Sequence, residues 1–215
     1  MDQGLKMRLL LTAQGDWNIH ACGVLAQRLL DLGCQVFVAY RPLPSHLNQP
    51  FTTAWQGPVL PLSPEQLATS DLTRHVDAIG VFAAPQVVHQ FQQVHQMACD
   101  IAGHQSAPLF SGPSQPLSGD LLEEDLLGRL GCDLICLHGS SEVEVLSELT
   151  QHSQVGSQAF VELGLWQLPQ KPVSEEYDDQ SSKSFLFIEQ PDFPASSTNR
   201  KRLLSQLEDL ARRCV

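Results

Sequence analysis

The sequence is poor in positive charge. It has 13 lysines and arginines against 24 aspartates and glutamates, which gives a formal net charge of −11 with histidine neutral. The basic residues before residue 170 are scattered singly along the chain: Lys6, Arg8, Arg28, Arg41, Arg74 and Arg129. Because no basic stripe is present there to neutralise a row of phosphates, we do not expect a nucleic-acid partner.

Long hydrophobic runs are also missing. A transmembrane helix needs about 20 consecutive apolar residues, and no segment approaches that length. The first six residues lack the basic leader, apolar stretch and small-residue cleavage site of a secretory signal. We therefore expect a cytoplasmic protein without a transmembrane segment.

The sequence has neither paired cysteines nor clustered histidines. Its six cysteines form no CxxC pair, and most lie in apolar runs, which is typical of reduced, buried thiols in a cytosolic protein. Apart from His20 and His138, the histidines show no metal-ligand spacing, and we expect them to be exposed: His46, His75, His89, His95, His104 and His152. We predict no metal site and no bound cofactor.

Several common functional motifs are absent. The chain contains no GxGxxG, GxSxG, P-loop or HExxH sequence. These absences argue against a dinucleotide-binding fingerprint, a serine hydrolase, a nucleoside triphosphatase and a metalloprotease of the usual kinds.

What the sequence does contain is a regular alternation of short apolar runs and longer amphipathic stretches. Apolar runs over 8–12 and 35–39 flank an amphipathic stretch over 20–32, which predicts a parallel βαβ unit. The pattern continues with strands expected at 58–62, 76–83, 108–111, 133–138 and 158–163, and with helices expected at 85–102, 120–130 and 141–149. We predict an α/β fold with a doubly wound, Rossmann-like parallel sheet over residues 1–169.

Two helices carry more detailed signals. Ser63 and Gln66 have the spacing of a capping box around Pro64, which suits the first helical position. The helix over 85–102 is expected to bury one face, made of Val87, Phe91, Val94, Ala98 and Ile101.

A polar segment then interrupts the repeated pattern. Residues 170–184 contain almost nothing that could be buried, so we interpret them as a linker. After it, an apolar run at 185–189 and an amphipathic stretch at 199–214 predict one further βα unit over 185–215. This unit cannot bury its own apolar strand and has to pack on something else.

Ligands of an open parallel sheet bind beyond the carboxyl ends of its strands. The segment after the first strand carries Gly15, Asp16, Trp17, Asn18 and His20. Asp16 could act as a base or orient His20, although an aspartate just before a helix is also a common N-cap. The positive end of the helix dipole favours a neutral, proton-accepting His20, although a partly buried histidine at this position is more often structural. Trp17 could stack on a sugar ring or pack on its own domain.

A second candidate segment follows the strand predicted at 133–138. There the backbone amides of His138, Gly139 and Ser140 could hold an anion or a sugar hydroxyl at the start of a helix. The alternative is structural, because Ser141 and Glu144 have the spacing of a capping box.

The C-terminal segment FLFIEQPDFPASSTNRKRLLSQLEDLAR resembles the start of the second lobe in an uncharacterised family of bacterial proteins described as glycosyltransferases of the two-lobed GT-B type. In that family a strand ending in Gln-Pro is followed by a proline and then by an arginine that opens a leucine-rich helix, as Gln190, Pro191, Pro194, Arg200 and Leu204 do here. Residues 119–146, which include Arg129 and Asp133, look like the same family's acidic helix and the strand and loop that follow it. The opening sequence is similar to a GT-B first lobe, so the resemblance covers nearly the whole chain.

The resemblance implies transfer of a sugar from a nucleotide-sugar donor to the hydroxyl of a glycan acceptor, without a required metal. A base from the first lobe, Asp16 or His20, would deprotonate the acceptor. Gln190 and Arg200 would lie on the donor side. Arg200 could contact phosphate, with solvation or helix packing as the other interpretation.

The second lobe of such an enzyme holds most of the donor, and here it stops after one βα unit at Val215. We therefore expect an incomplete enzyme that needs a longer chain or a partner subunit for activity. The alternatives are a non-catalytic binding or assembly module and a protein similar to sugar-nucleotide epimerases, which share the two-lobed architecture.

Overall fold

The computed structural model describes residues 6–41, 55–152 and 159–164, together with the single helical residue Ser205. The chain divides into two units, Met1–Gln170 and Lys171–Val215, and the fold below is that of the first. The linker over 170–184 and the βα unit over 185–215 lie outside the described residues and stay predictions.

Seven parallel strands form one sheet in the order β3-β2-β1-β4-β5-β6-β7. The strands are β1 Arg8–Ala13, β2 Gln35–Ala39, β3 Val59–Leu60, β4 Ala78–Phe82, β5 Leu109–Ser111, β6 Leu134–Leu137 and β7 Phe160–Glu162. The helices are α1 Asp16–Asp31, α2 Pro64–Ala68, α3 Pro85–Ala102, α4 Asp120–Leu127 and α5 Ser140–His152, with a 3₁₀ turn at Asp71–His75. The predicted α/β Rossmann-like fold is confirmed.

Alternating residues of β1 serve two different cores. Leu10 points to a cluster that contains Leu67 of α2 and Phe91 of α3. Its neighbour Leu11 belongs to a cluster with Cys22 of α1. Because successive side chains of a strand face opposite sides, helices cover both faces of the sheet, as in other doubly wound folds.

A third cluster covers the β6 end of the sheet. It joins Leu126 of α4 and Leu146 of α5 to Ile135 and Leu137 of β6. The topological switch point, where the strand order reverses, lies between β1 and β4. This sheet therefore fixes where a ligand-binding crevice is expected.

Several local predictions are confirmed. The capping box of α2 is present, since Ser63 Oγ accepts from Gln66 N and Gln66 Oε1 accepts from Ser63 N. Helix α3 has the predicted bounds. Among the described cysteines, Cys22, Cys99, Cys132 and Cys136 are buried and Cys34 is half-buried, all as thiols.

The predicted buried face of α3 is only partly right, because of its five residues Phe91 alone is fully buried and three others are half-buried. The fully buried stripe consists of Val88, Phe91, His95 and Cys99, whereas Ile101 is 82% exposed. His95, which we expected at the surface, is only 1% exposed. Its ring packs beside Phe91 with the centroids 5.8 Å apart, and burial lowers its pKa. A neutral imidazole therefore fills a position that the hydrophobic pattern would assign to an apolar residue.

In the part of the chain that the structure describes, no helix has both the length and the apolar character needed to cross a bilayer.

Candidate functional site

The loops after β1 and β4 flank the switch point, and the first of them is tied to the end of β4. The backbone amide of Gln14, directly after β1, donates to the carbonyl of Phe82 at the end of β4 over 3.0 Å. In open parallel sheets this is the position of the ligand crevice. The segment that follows Gln14, which carries the site residues predicted from the sequence, therefore lies beside the switch point.

Helix α1 begins earlier than the sequence pattern indicated. Its N-cap is Gly15, with φ +93°, and Asp16 is its first residue. No side chain caps this end, so the interpretation of Asp16 as the N-cap is wrong. The early start depends on the left-handed conformation that glycine permits at position 15. Asp16 is exposed in the first turn, where its negative charge interacts favourably with the helix dipole.

The other predicted residues of this segment lie in the first turns of α1. Trp17 is 45% exposed, so much of the indole is accessible from solvent. The Asn18 amide nitrogen donates to the carbonyl of Gln14 over 2.8 Å, which anchors the side chain back on the loop. His20 is half-buried. The structure thus places an exposed carboxylate, an indole and an imidazole within five residues beside the switch point.

The segment after β6 contains a buried histidine–carboxylate pair. Glu142 Oε2 accepts the backbone amide of His138 over 2.6 Å, and Glu142 Oε1 lies 2.9 Å from His138 Nδ1. The two side chains are only 5% and 3% exposed. An ionised carboxylate can only accept hydrogen bonds, which assigns the imidazole proton to Nδ1 if the ring is neutral.

The capping box predicted for α5 is wrong. The helix starts at Ser140, and the carbonyl of Gly139 accepts from the amides of Glu142 and Val143. Glu142 is therefore the third helical residue and takes the role that the sequence assigned to Glu144, which is exposed. The carboxylate reaches one residue further back than in a standard capping box, to His138 rather than to Gly139.

The two predicted groups of site residues share one edge of the sheet without meeting. Strands β4 and β5 separate β1 from β6, and three strand spacings amount to about 14 Å. A ligand that touches both the β1–α1 segment and His138 would have to span about that length.

A buried arginine lies under the carboxyl edge between these groups. The Arg129 guanidinium forms a bidentate pair with Asp125, at 2.7 and 2.8 Å. It also donates to Ser111 Oγ at 2.5 Å and to the carbonyl of Ala83 at 3.1 Å. The family resemblance named Arg129 together with Asp133, but none of these four hydrogen bonds of Arg129 goes to Asp133. Asp133 instead accepts the amide of Leu109, at the start of β5.

The loop after β5 is also held close to the neighbouring strand. A Cβ added to Gly112 would overlap the carbonyl oxygen of Cys136 in β6. Glycine at this position therefore lets the backbone of the loop approach β6 closely.

One comparison with known proteins identifies the family. The model of DUF6716, described as "Putative glycosyltransferase", matches residues 36–214. The chain belongs to this family. No curated protein sequence matches the chain.

The family match divides the candidate residues. It begins at Val36 in β2, so Asp16 and His20 precede it. His138, Glu142 and Arg129 lie inside it. Gln190 and Arg200 also lie inside the match but outside the described residues.

Three residues at or beneath the carboxyl edge of the sheet were not predicted from the sequence as candidate site residues. Asp125 and Glu142 were overlooked because each lies inside an acidic, helix-forming stretch, where a carboxylate is ordinarily solvated. The third is Arg41, which is exposed and follows the carboxyl end of β2 by two residues. A lone arginine directly after a predicted strand was the signal that could have found it.

Proposed function

We propose that this protein transfers a sugar from a nucleotide-sugar donor to an acceptor hydroxyl, as a GT-B-type glycosyltransferase in which residues 1–169 form the acceptor-side lobe. The observation that carries the proposal is the family match, which covers six of the seven strands of the described sheet. The switch point of that sheet, bordered by the loops after β1 and β4, supports the position of the crevice.

The acceptor is proposed to bind at the β1–α1 segment. The accessible indole of Trp17 offers a flat apolar surface for a sugar ring. Asp16 or His20 would take the proton of the acceptor hydroxyl while the acceptor oxygen bonds to the sugar. The bond between the sugar and the donor phosphate breaks in the same step, and the nucleoside diphosphate leaves with that electron pair.

The loop after β6 is proposed to bind a hydroxyl rather than a phosphate. The carboxylate of Glu142 is buried beneath the His138 amide and already occupies part of the first turn of α5. A second anion there would be repelled by that charge, whereas a neutral hydroxyl would not. On this proposal Gly139 and Ser140 contact the acceptor, and Gln190 and Arg200 belong to the donor side. No metal or other cofactor takes part.

Calorimetric titration with UDP-, GDP- and dTDP-linked hexoses tests the proposal, on this chain alone and together with any subunit that copurifies with it. At least one donor should bind, and supplying oligosaccharide acceptors long enough to span about 14 Å should release the matching nucleoside diphosphate. The proposal is wrong if no donor binds and no diphosphate is released from any of them.

Substitutions separate the two base candidates. The residue that serves as the base should lose about a hundredfold or more in kcat on replacement, as Asp16→Asn or His20→Gln. Asp31→Asn is the matched control, since Asp31 is exposed at the other end of the same helix. If both replacements leave kcat at the control value, neither residue is the base.

A further inference from the structure

The Arg129 side chain is 2% exposed, and its three nitrogens bind three different parts of the fold. Nε and Nη2 hold Asp125, Nη1 holds the Ser111 hydroxyl at the end of β5, and Nη2 also holds the carbonyl of Ala83, directly after β4. Ser111 Oγ in turn donates to the carbonyl of Val81 in β4 at 2.5 Å. One guanidinium therefore joins the carboxyl ends of two strands to the helix region behind them.

This arrangement is not an anion site, because Asp125 already neutralises the charge over two short hydrogen bonds. Stability alone gives little reason for it, since apolar residues of similar volume commonly replace a buried ion pair without loss. What apolar residues could not reproduce is the rigid fork of donors that fixes Ala83 and Ser111 relative to each other.

We infer that Arg129 is a positioning residue for the crevice at the switch point. It holds the loops after β4 and β5 in one conformation before any ligand arrives. Ala83 leads through Ala84 into α3, and the carbonyl of Ala84 accepts the amides of Val87 and Val88 at 2.9 and 3.1 Å. The start of α3 is thus attached to the point that Arg129 holds. The relevance of this to sugar transfer rests on the proposed function, whereas the ordering of the loops does not.

Amide hydrogen exchange on the protein without ligand tests the inference. The double variant Asp125→Leu with Arg129→Met removes the fork without leaving a buried charge unpaired. The loss of global stability alone sets an expected increase in the exchange rate of every buried amide. We expect the amides of Val87 and Val88 to exchange at least tenfold faster than that, because local opening adds to global unfolding. The inference is overturned if these amides change only in step with the global unfolding free energy measured in urea.

Two further variants complete the experiment. Ser111→Ala removes one acceptor of the fork and keeps the ion pair, so it should shift the same amides in the same direction by less. It decides the question if the double variant does not fold.

Arg8→Met is the control at the opposite end of the sheet, where Arg8 of β1 pairs with Asp77 just before β4 over 3.0 Å. After the same correction for the change in global stability, it should leave exchange at Val87 and Val88 at the wild-type rate, and a matching increase there would contradict the inference. The exchange experiment uses the protein without ligand, so its result can be interpreted even if no donor binds.

Discussion

Two buried threonines differ in whether their hydroxyl groups are satisfied. Thr73 Oγ1 donates to the carbonyl of Ser70 at 2.8 Å. Thr12, fully buried in β1, has no hydrogen-bond partner for Oγ1 among the described residues. A buried hydroxyl without a partner keeps its desolvation cost, whereas a methyl group of the same size has none.

We therefore predict that Thr12→Val raises the free energy of unfolding by about 1 kcal/mol, because valine keeps the shape and suits a strand. Thr73→Val should lower it by about 1 kcal/mol, because it removes the side-chain hydrogen bond to the Ser70 carbonyl, which keeps only the backbone amide of Thr73 as a donor. Urea denaturation of both variants checks the pair. Destabilisation by Thr12→Val would show that its hydroxyl is satisfied in solution.

His95 predicts a dependence of stability on pH. Burial lowers its pKa below the ordinary value, so the unfolded chain binds this proton more readily than the folded one. The contribution of the neutral His95 ring to the free energy of unfolding is complete above about pH 6.5 and is lost as the pH falls through the lowered pKa. The free energy of unfolding changes there by at most about 1.4 kcal/mol per pH unit.

We predict that His95→Leu flattens this part of the curve of unfolding free energy against pH between pH 7.5 and 5. His89 is exposed on the same helix, so His89→Leu should keep the wild-type slope. Urea titrations at several pH values check the prediction. An unchanged slope in the His95 variant would mean that the ring is protonated equally in both states.

At the scale of the element, the start of α5 depends on one carboxylate. Glu142 is buried and accepts the His138 amide, while Glu144 on the same helix is exposed. We predict that Glu142→Gln lowers the free energy of unfolding by about 1–3 kcal/mol, because the charge-assisted bonds to His138 are weakened. Glu144→Gln should change it by less than about 0.5 kcal/mol. Thermal or urea unfolding measures both variants. Equal effects of the two would support the capping box of Ser141 and Glu144 that the sequence predicted.

The elements themselves could be predicted because their signals are local. The apolar run of β1 and the Pro85 that opens α3 are recognisable without knowing the rest of the fold. The start of α1 was not recognisable, since it depends on Gly15 adopting a positive φ in its tertiary setting. Likewise, the sequence placed His138 at the end of a strand but not its contact with Glu142, because several carboxylates in that stretch had suitable spacing.

The site was less predictable than the elements for a related reason. The position of a crevice follows from strand order, which the βα alternation constrains. The buried pair of Arg129 and Asp125 does not, because the hydrophobic pattern gives charged residues no reason to be inside. The interpretation of His95 failed in the same way, since its burial depends on the side chains that surround it.

At the scale of the whole molecule, the two faces of one sheet are buried by different helices. Cys22 lies in the cluster with α1, and Cys132 lies in the cluster with α2 and α3. Burial raises the pKa of each of these thiols to about 12. Both are therefore protonated and shielded in the folded state, so their alkylation reports the opening of the face on which each one lies.

We predict that iodoacetamide at pH 8 modifies the half-buried Cys34 in the native protein, whereas Cys22 and Cys132 react only as the sheet unfolds. Because every strand between them is hydrogen-bonded into one sheet, the two faces should open cooperatively and both cysteines should show the same urea midpoint. Pulsed alkylation with peptide-resolved mass spectrometry measures the three sites separately. A lower midpoint for Cys22 would mean that α1 leaves the sheet on its own, which would also expose the β1–α1 segment that carries Asp16 and His20 before the rest of the unit unfolds.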